Sequence, residues 1–454
     1  MKKAFLLGIM ALTAATAAAE GYQVNTYSAR QQGMGMTGVA TPLGAESVIF
    51  NPGALAAMTD RFQISGSLSA ISAHATATHE GTEYKSDNDI STPMNISAAF
   101  RIYNNFYAGL SFYTPAGSGI NWGENWPGAV LNQSVTIKAF AVQPTISWEI
   151  IKGLSIGAGV SVNWGSVDLN KALMTGASFN RLLAAQGLPA EVYYRDNVAP
   201  ASVNLNGNSN LAVGWNVGAF WQINKQWSVG AAFRSKVKLT VEKGAAAVSY
   251  NGIAEQLMAP TLDYLNHTNF KASLPEPYIF SAGVAYRPDS RWLIEADVQL
   301  NGWNTYKTLD IEFDELESFN QHLEKNYSNA MSYKLGAQYT VTPRLDVRAG
   351  VMVDCSPCDT DHYNPETPGQ TRIEPAVGLS FRPLKGLSVD FSFMYIQGTG
   401  VKNATGQYDD LVYSVAEQLA PGMGSLLGLT PQGTFTADYK VHAFIPAIGL
   451  SYSF

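Results

Sequence analysis

Two cysteines three residues apart form the chain's most obvious candidate for chemistry. Cys355 and Cys358 are its only cysteines, and the C-x-x-C spacing suits a redox motif or half of a zinc site. Asp361 and His362 stand nearby, but they do not complete a recognisable ligand set. Because cysteines in exported proteins are usually oxidised, and the first residues indicate export, the spacing predicts a small loop disulfide and no metal site.

Residues 33–38 fit the dinucleotide-binding pattern G-x-G-x-x-G. That chemistry needs a preceding buried strand, a following helix and an acidic residue about twenty positions later. No buried parallel strand precedes Gly33, so we interpret these glycines as flexible backbone and expect no cofactor.

Histidines are the remaining candidates for acid–base or nucleophilic chemistry. No Ser-His-acid arrangement with a recognisable local context accompanies them, so the sequence predicts a protein that is not an enzyme. A membrane-embedded hydrolase stays open as an alternative. The six histidines are His74, His79, His267, His322, His362 and His442.

The first nineteen residues have the features of a secretory signal. Lys2 and Lys3 precede an apolar stretch at residues 4–15, and Ala17, Ala18 and Ala19 form a small-residue cleavage site. No later stretch reaches the ~18 uninterrupted apolar residues of a membrane helix. Only 14% of residues are charged, with 29 basic and 36 acidic side chains. No basic patch points to nucleic acid, so we expect export without helical anchors.

Very short connections alternate with long ones along the rest of the chain, and the segments between them alternate apolar and polar residues. Outer-membrane barrels combine short periplasmic turns with longer extracellular loops and an even strand number. The pattern therefore predicts an all-β fold, a fourteen-stranded antiparallel transmembrane β-barrel over residues 61–454. The short connections are residues 103–105, 151–153, 224–226, 287–290, 342–344 and 383–386. The long ones are residues 74–90, 114–131, 171–201, 242–270, 312–326, 354–371 and 398–436.

Each strand shows one apolar and one polar or small-residue face. In residues 292–300, Glu295 and Asp297 oppose a face of apolar side chains. Because carboxylates are costly in a dry core, we expect them to line a wet lumen. Aromatic residues beside the short turns predict an interfacial girdle. They are Tyr103, Trp148, Trp227, Tyr286 and Trp292.

Residues 20–60 precede the first good strand and are rich in glycine and proline. A ring of about fourteen strands is wider than an eight-stranded barrel, whose side chains can fill it. The segment therefore predicts a small plug, or hatch, folded inside the lumen.

The order and spacing of several blocks resemble the FadL family, outer-membrane transporters of long-chain fatty acids and other hydrophobic compounds. One block, Asn51-Pro52-Gly53, departs from the family's usual Asn-Pro-Ala but keeps the tight turn. The resemblance implies a fourteen-stranded barrel with an N-terminal hatch, in agreement with the strand count. The blocks are residues 21–25, 33–38, 47–53, 126–128, 274–275, 292–303, 347–350, 354, 356–357 and 439–454.

The resemblance also assigns roles to two short motifs. In the family the third strand kinks inward and opens a lateral gap that faces the hatch. Proline and glycine at residues 115–119 could form this kink, or the strand could simply end there. The hatch candidates are Phe50, Asn51, Pro52 and Gly53, and the kink candidates are Pro115, Gly117 and Gly119.

Two long loops carry amphipathic, helix-like stretches, and residues 411–429 form a third. Exposed apolar patches often mark binding surfaces, and the family captures its substrate in a groove between these two loops. The alternative is that the stretches only cap the barrel mouth. The ligand-binding candidates are Phe179, Leu182, Leu183, Leu188, Ile253, Leu257, Met258, Leu262 and Leu265.

The function expected from these observations is passive uptake of a hydrophobic molecule by loop capture, hatch movement and lateral exit through the wall. Long-chain fatty acids are the expected cargo; aromatic hydrocarbons and a general porin for polar solutes are the alternatives. We expect a monomer in outer-membrane lipid that binds no nucleic acid. Arg181, Arg195 and Lys243 are loop candidates for a cargo carboxylate, without a geometry.

Overall fold

The computed structural model describes residues 22–314, 316 and 319–454. The predicted signal peptide, Glu20 and Gly21 lie outside the described residues. Within them, fourteen strands form one closed antiparallel ring in which each strand pairs with the next and the last pairs with the first. The predicted fold is confirmed.

Eight of the barrel strands consist of two segments separated by a short break. The fourteen are β1 (Phe62–Ser69, continued by Ser72–His79), β2 (Met94–Tyr103), β3 (Phe106–Tyr113, continued by Gly117–Asn121), β4 (Ser134–Ile151), β5 (Leu154–Ala172), β6 (Ala201–Asn208 and Ala212–Gln222), β7 (Trp227–Arg234 and Val237–Tyr250), β8 (Asn269–Glu276 and Tyr278–Tyr286), β9 (Trp292–Gly302 and Thr308–Phe313), β10 (Gln321–Glu324 and Ala330–Thr342), β11 (Leu345–Asp354), β12 (Arg372–Leu384), β13 (Leu387–Gly398 and Val401–Asp409) and β14 (Gln432–Ser453). A short strand, Thr82–Lys85, pairs with the end of β1.

All six short connections lie at one end of the ring, where Phe62 and Phe454 also bond to each other. Gly153 and Gly386 adopt positive φ angles in two of these hairpins, as tight hairpin turns require. At the opposite end the strands run further than expected. β7 reaches Tyr250 and β13 reaches Asp409. A strand that extends beyond the lipid needs no apolar outer face, so its sequence lacks the alternating pattern by which a strand is predicted.

The outward face of the ring is apolar, as the sequence predicts. On β14, Phe444, Ile448 and Leu450 are exposed while Ala443 and Ala447 are buried. Aromatic rings pair near the short turns. The pairs are Phe106–Trp148, Trp227–Tyr286, Trp292–Tyr339 and Phe62–Phe454, with ring centroids 4.3 to 5.5 Å apart.

Residues 22–58, here called the inner segment, lie inside the ring and are buried along most of their length. The segment contains α1 (Ala29–Gln32) and α2 (Ser47–Phe50), with 3-10 turns at Gly44–Glu46 and Pro52–Ala57. Ser28 caps α1, because its Oγ accepts a hydrogen bond from the Gln31 amide at 3.2 Å.

Inward-facing glycines of the strands let the inner segment press its backbone against the wall. A Cβ atom at Gly157 would overlap the Pro52 carbonyl, and one at Gly336 would overlap the Met34 carbonyl. Gly35, one of the glycines interpreted as flexible, is instead fixed against β11 with φ +64°. The glycines serve close approach rather than flexibility. Wall positions in this set are Gly109, Gly157, Gly218, Gly230, Gly336, Gly350 and Gly378.

The lumen at this level is packed, so the expectation of wet carboxylates is wrong. Glu295 and Asp297 are fully or almost fully buried. Asp297 accepts hydrogen bonds from the Gly38 and Val39 amides at 2.8 and 3.2 Å, and Glu295 accepts one from the Ala40 amide at 2.7 Å. The carboxylates hold the inner segment by bonds to its backbone, which the sequence pattern could not reveal.

Four further helices lie in the long loops: α3 (Gly176–Ala185), α4 (Ala254–Leu262), α5 (Leu411–Leu419) and α6 (Met423–Leu426), with 3-10 turns at Ala190–Val192 and Asp263–His267. Another 3-10 turn, Trp303–Thr305, lies in the break of β9. No helix in the described residues is both long and apolar enough to cross a bilayer.

Replacing Gly157 with valine should destabilise the protein by about 1–3 kcal/mol, because the new side chain would overlap the inner segment. Urea unfolding in lipid vesicles measures the change. The control is Gly66→Val, where a Cβ atom would have its nearest neighbour at 3.5 Å. Equal stability of the two variants would contradict this role of the inward glycines.

Candidate functional site

β3 is interrupted between Tyr113 and Gly117. The flanking pairs are Tyr113 with Ala141 and Gly117 with Lys138, so β3 carries one residue more than β4 across the break. Such an extra residue bends the strand. Beyond the break, the segment Gly117–Asn121 pairs with β4. On its other edge, Asn121 alone forms hydrogen bonds to residues 87 and 88.

The start of the inner segment fills this break. The Val24 amide donates to the Pro115 carbonyl at 3.0 Å, and the Gly117 amide donates to the Tyr22 carbonyl at 2.8 Å. Pro115 and Gly117 therefore lie at the interruption, and Gly119 lies in the strand beyond it. The alternative that the third strand simply ends at Pro115 is wrong.

Asn51 joins two parts of the inner segment to the wall. Its Nδ2 donates to the carbonyls of Val39 and Ala219 at 2.7 and 3.0 Å. Its Oδ1 accepts from the Gly53 amide at 3.0 Å and so caps the turn Pro52–Ala57. The Gly53 carbonyl in turn accepts hydrogen bonds from two wall serines. Phe50 packs edge-on against Tyr27, with ring centroids 6.3 Å apart.

Above the inner segment lies an almost wholly apolar cavity, here called the upper cavity. Side chains from β4 to β9 line it, together with the loop residue Glu366, which pairs with buried Lys325. Arg181 and Arg195 lie in a loop, whereas Lys243, predicted as a loop residue, lies in β7. All three are exposed and do not line the upper cavity. Its apolar lining includes Val135, Ile137, Val167, Leu169, Leu205, Leu239, Val241, Phe270, Leu274, Leu309 and Ile311.

The loop helices roof the barrel mouth. Phe179, Leu182 and Leu183 on α3 pack with Met258 and Leu262 on α4 in one buried cluster, which Leu188, Ile253 and Leu257 flank. Residues of the third predicted stretch, Val412 and Leu429, belong to the same cluster, whereas Leu265 packs with the barrel interior. The apolar candidates thus meet, as buried contacts between loops rather than as the exposed patch that we expected.

Two further cavities lie beside the inner segment, below the upper cavity. One lies between the inner segment and β6–β10. The other, here called the exit cavity, reaches the break in β3 at Pro115 and Ala116. Arg234 lines both, and Glu276 lines the exit cavity. The sequence analysis missed this pair, because their strands give no local sign of which residues meet the inner segment.

The predicted disulfide is not formed, since Cys355 and Cys358 are both free thiols. The Cys358 side chain packs into the aromatic cluster of the barrel interior and lies within hydrogen-bonding reach of Tyr327. Burial raises the pKa of both thiols. In the described part of the chain, no three His, Cys, Asp or Glu side chains converge as they would on a metal ion.

Comparison with known sequences matches residues 10–454 to the outer membrane protein transport protein family (OMPP1/FadL/TodX). The chain belongs to this family. It is similar to the long-chain fatty acid transport protein of Escherichia coli O6:H1 (strain CFT073), with 22% identity over 418 residues that cover 89% of this chain and 93% of the relative.

Solved structures of the FadL family share the fold. A Pseudomonas aeruginosa FadL homologue superimposes with a TM-score of 0.76 at 18% identity, covering 96% of this chain and all of that one. The toluene transporter TodX of P. putida gives a TM-score of 0.66 at 16% identity, covering 95% of this chain and 99% of that chain.

Membership of the FadL family makes this protein an outer-membrane transporter of hydrophobic compounds rather than an enzyme. The expected class and location are therefore confirmed. The hydrolase alternative is wrong, and the porin for polar solutes is not favoured.

Because burial raises the pKa of Cys358, its reactive thiolate is scarcer at neutral pH than that of an ordinary cysteine, whose pKa is near 8.5. In a Cys355→Ser variant, maleimide labelling of Cys358 should be slow at pH 7.5 and accelerate only above about pH 9. Mass spectrometry of the unfolded parent protein without reductant should find two labelled thiols. Recovery of two labels only after reduction would show that the disulfide forms.

Proposed function

We propose that this FadL-family protein carries long-chain fatty acids from the cell surface into the outer membrane by a lateral route. The observation that carries the proposal is the alignment of three features. A roof of apolar loop helices covers the upper cavity, the upper cavity is almost wholly apolar, and the exit cavity below it meets the break in β3.

Capture begins at the loop helices. An acyl chain that separates α3 from α4 exchanges contacts within the roof for contacts with itself. Burial of the chain then supplies roughly 25 cal/mol per Å² of apolar surface. The upper cavity continues the same apolar environment into the barrel, so the chain does not return to water on its way in.

Lateral exit follows from the same energetics. A water-filled pore would force the acyl chain back into water, whereas an opening in the wall delivers it directly to lipid. Residues 22–24 are held across the break in β3 by two backbone hydrogen bonds. Moving this short piece of the inner segment opens the wall without breaking the strand pairing of the ring.

Names of relatives support the fatty acid as cargo but do not exclude others. The E. coli relative is named a long-chain fatty acid transport protein, while two structural neighbours are named a toluene transporter and a monoaromatic hydrocarbon channel. Uptake of radiolabelled palmitate and of toluene by cells that lack their own transporter, with and without this protein, separates the two cargoes. Saturable uptake of palmitate supports the proposal, and uptake of toluene alone overturns it.

Asn51→Ala removes all three hydrogen bonds of the Asn51 side chain. Because each hydrogen bond stabilises the observed position of the inner segment by about 0.5–1.5 kcal/mol, its loss should shift the segment's conformational equilibrium. The ring should still assemble. We expect palmitate uptake to fall severalfold at equal surface abundance, measured by initial rates and quantitative immunoblots. Normal uptake would remove Asn51 from the transport step.

A polar side chain in the upper cavity should weaken transport. Ile311→Asn places an amide among apolar side chains. Burying an amide without a hydrogen-bond partner costs about 1–3 kcal/mol. Palmitate uptake below saturation should therefore fall about 5- to 100-fold. The control is Asp310→Asn, which introduces the same residue at the neighbouring exposed position of the same strand and should leave uptake unchanged. Equal effects of the two variants would contradict a role of the upper cavity.

A further inference from the structure

A groove on the outer surface of the barrel wall gathers four lysines. It is formed by β7, β8 and β9, three of the strands whose inner side lines the upper cavity. Because successive side chains of a strand point to opposite faces, Lys238 faces outward where its neighbour Leu239 lines the upper cavity. The groove, here called the lysine groove, contains Lys236, Lys238, Lys271 and Lys307, all of which are exposed.

The lysine groove lies directly above the apolar belt of the barrel. β7 begins beside a short turn at Trp227, and Lys236 is the tenth residue counted from it. A strand crosses the bilayer with about 9–11 residues, so Lys236 lies at the interface opposite the short turns. Aromatic rings of the outer face mark this level, since the Phe233 ring lies 5.2 Å from that of Trp215 and 6.2 Å from that of Tyr278. Because short turns of such barrels face the periplasm, the groove borders the outer leaflet.

The positive charge of the groove is concentrated on the side nearest the bilayer. Lys236 and Lys238 take part in none of the ion pairs between described residues. Lys307, which directly precedes the second segment of β9, donates to the Tyr327 carbonyl at 3.0 Å. That contact leaves the charge of its ammonium group unneutralised, so three lysines on this side are available to an anion.

The acidic residues of the groove lie further from the bilayer. Lys271 is opposite Glu312 and pairs with Glu242 at 3.1 Å. Glu242 is four residues beyond Lys238 on β7, roughly 13 Å along the strand. Asp310 lies between these two levels, two residues before Glu312 on β9. An anion that enters from the membrane side therefore meets the unpaired lysines before it meets a carboxylate.

From this juxtaposition we propose that the lysine groove binds the phosphate groups of a phosphorylated lipid in the outer leaflet. Lysine binds phosphate as a point charge, and each basic residue near a membrane surface adds to the attraction for anionic lipid. The position of the groove selects a lipid over a soluble anion, because acyl chains attached to the phosphate lie against the apolar belt directly below.

This lipid site is separate from the path of the cargo. The groove lies on the outside of the wall, whereas the upper cavity and the exit cavity lie inside it. The inference therefore needs only the outer-membrane location of the protein and adds a lipid partner to it, whichever hydrophobic compound is carried.

The test titrates the purified full-length protein in detergent with diphosphoryl lipid A and counts bound lipid by native mass spectrometry. The double variant Lys236→Gln/Lys238→Gln should bind about 10- to 30-fold more weakly, because each lysine contributes about fivefold. Glu312→Gln removes a negative charge from the same groove and should strengthen binding. The matched control is Lys152→Gln/Lys385→Gln, which removes two exposed lysines at the short turns and should leave binding unchanged.

Unchanged lipid binding by Lys236→Gln/Lys238→Gln overturns the inference, and so does an equal loss in the control variant, which would reflect net charge alone. Equally tight binding of lipid A without its phosphate groups overturns it as well. Binding of radiolabelled inorganic phosphate at micromolar concentration, lost in the double variant, would instead assign the groove to a soluble anion.

Resistance to heat in detergent reports whether each variant folds. If the double lysine variant does not fold, Glu312→Gln decides, because lipid affinity that does not rise contradicts a phosphate site in the lysine groove. Palmitate uptake tests the proposed transport separately, so the failure of one proposal is distinguishable from the failure of the other.

Discussion

A ring of fourteen strands satisfies its own backbone hydrogen bonds, but its lumen is too wide for inward side chains alone to fill. The inner segment fills the remaining space, and it contacts the wall at the inward-facing glycines. Because glycine has no side chain, the backbone of residues 33–53 approaches the wall closely enough for hydrogen bonds to wall side chains and carbonyls. The two lower cavities are lined in part by this segment.

The way in which the inner segment is held also explains how it could move. Its polar attachments to the wall are local: Asn51 binds the Ala219 carbonyl, and two carboxylates bind three amides of the segment. Replacing such a hydrogen bond by one to water or to a ligand changes the free energy by about 1 kcal/mol. The ladders of the ring are many and continuous by comparison, so a change in the inner segment leaves the barrel closed.

Polarity changes along the lumen. The roof and the upper cavity are apolar, and charge appears beside the inner segment, at Arg234 and Glu276. The break in β3 borders the same cavity as these two charged side chains.

The sequence by itself determined the ring: strand number, connection lengths, the apolar outer face and the aromatic pairs at the short turns all follow from local periodicity and turn chemistry, which need no knowledge of distant residues. The roles that the resemblance assigns to residues 47–53 and 115–119 stay predictions, although the structure places both stretches at the contact between the inner segment and the wall. Tertiary structure alone decided what fills the lumen. The burial of Glu295 and Asp297 and the placement of Arg234 and Glu276 at one cavity depend on which inward side chain faces which part of the inner segment. Inward positions carry small and polar residues whether they meet water or a packed backbone, so a single strand's pattern cannot distinguish the two.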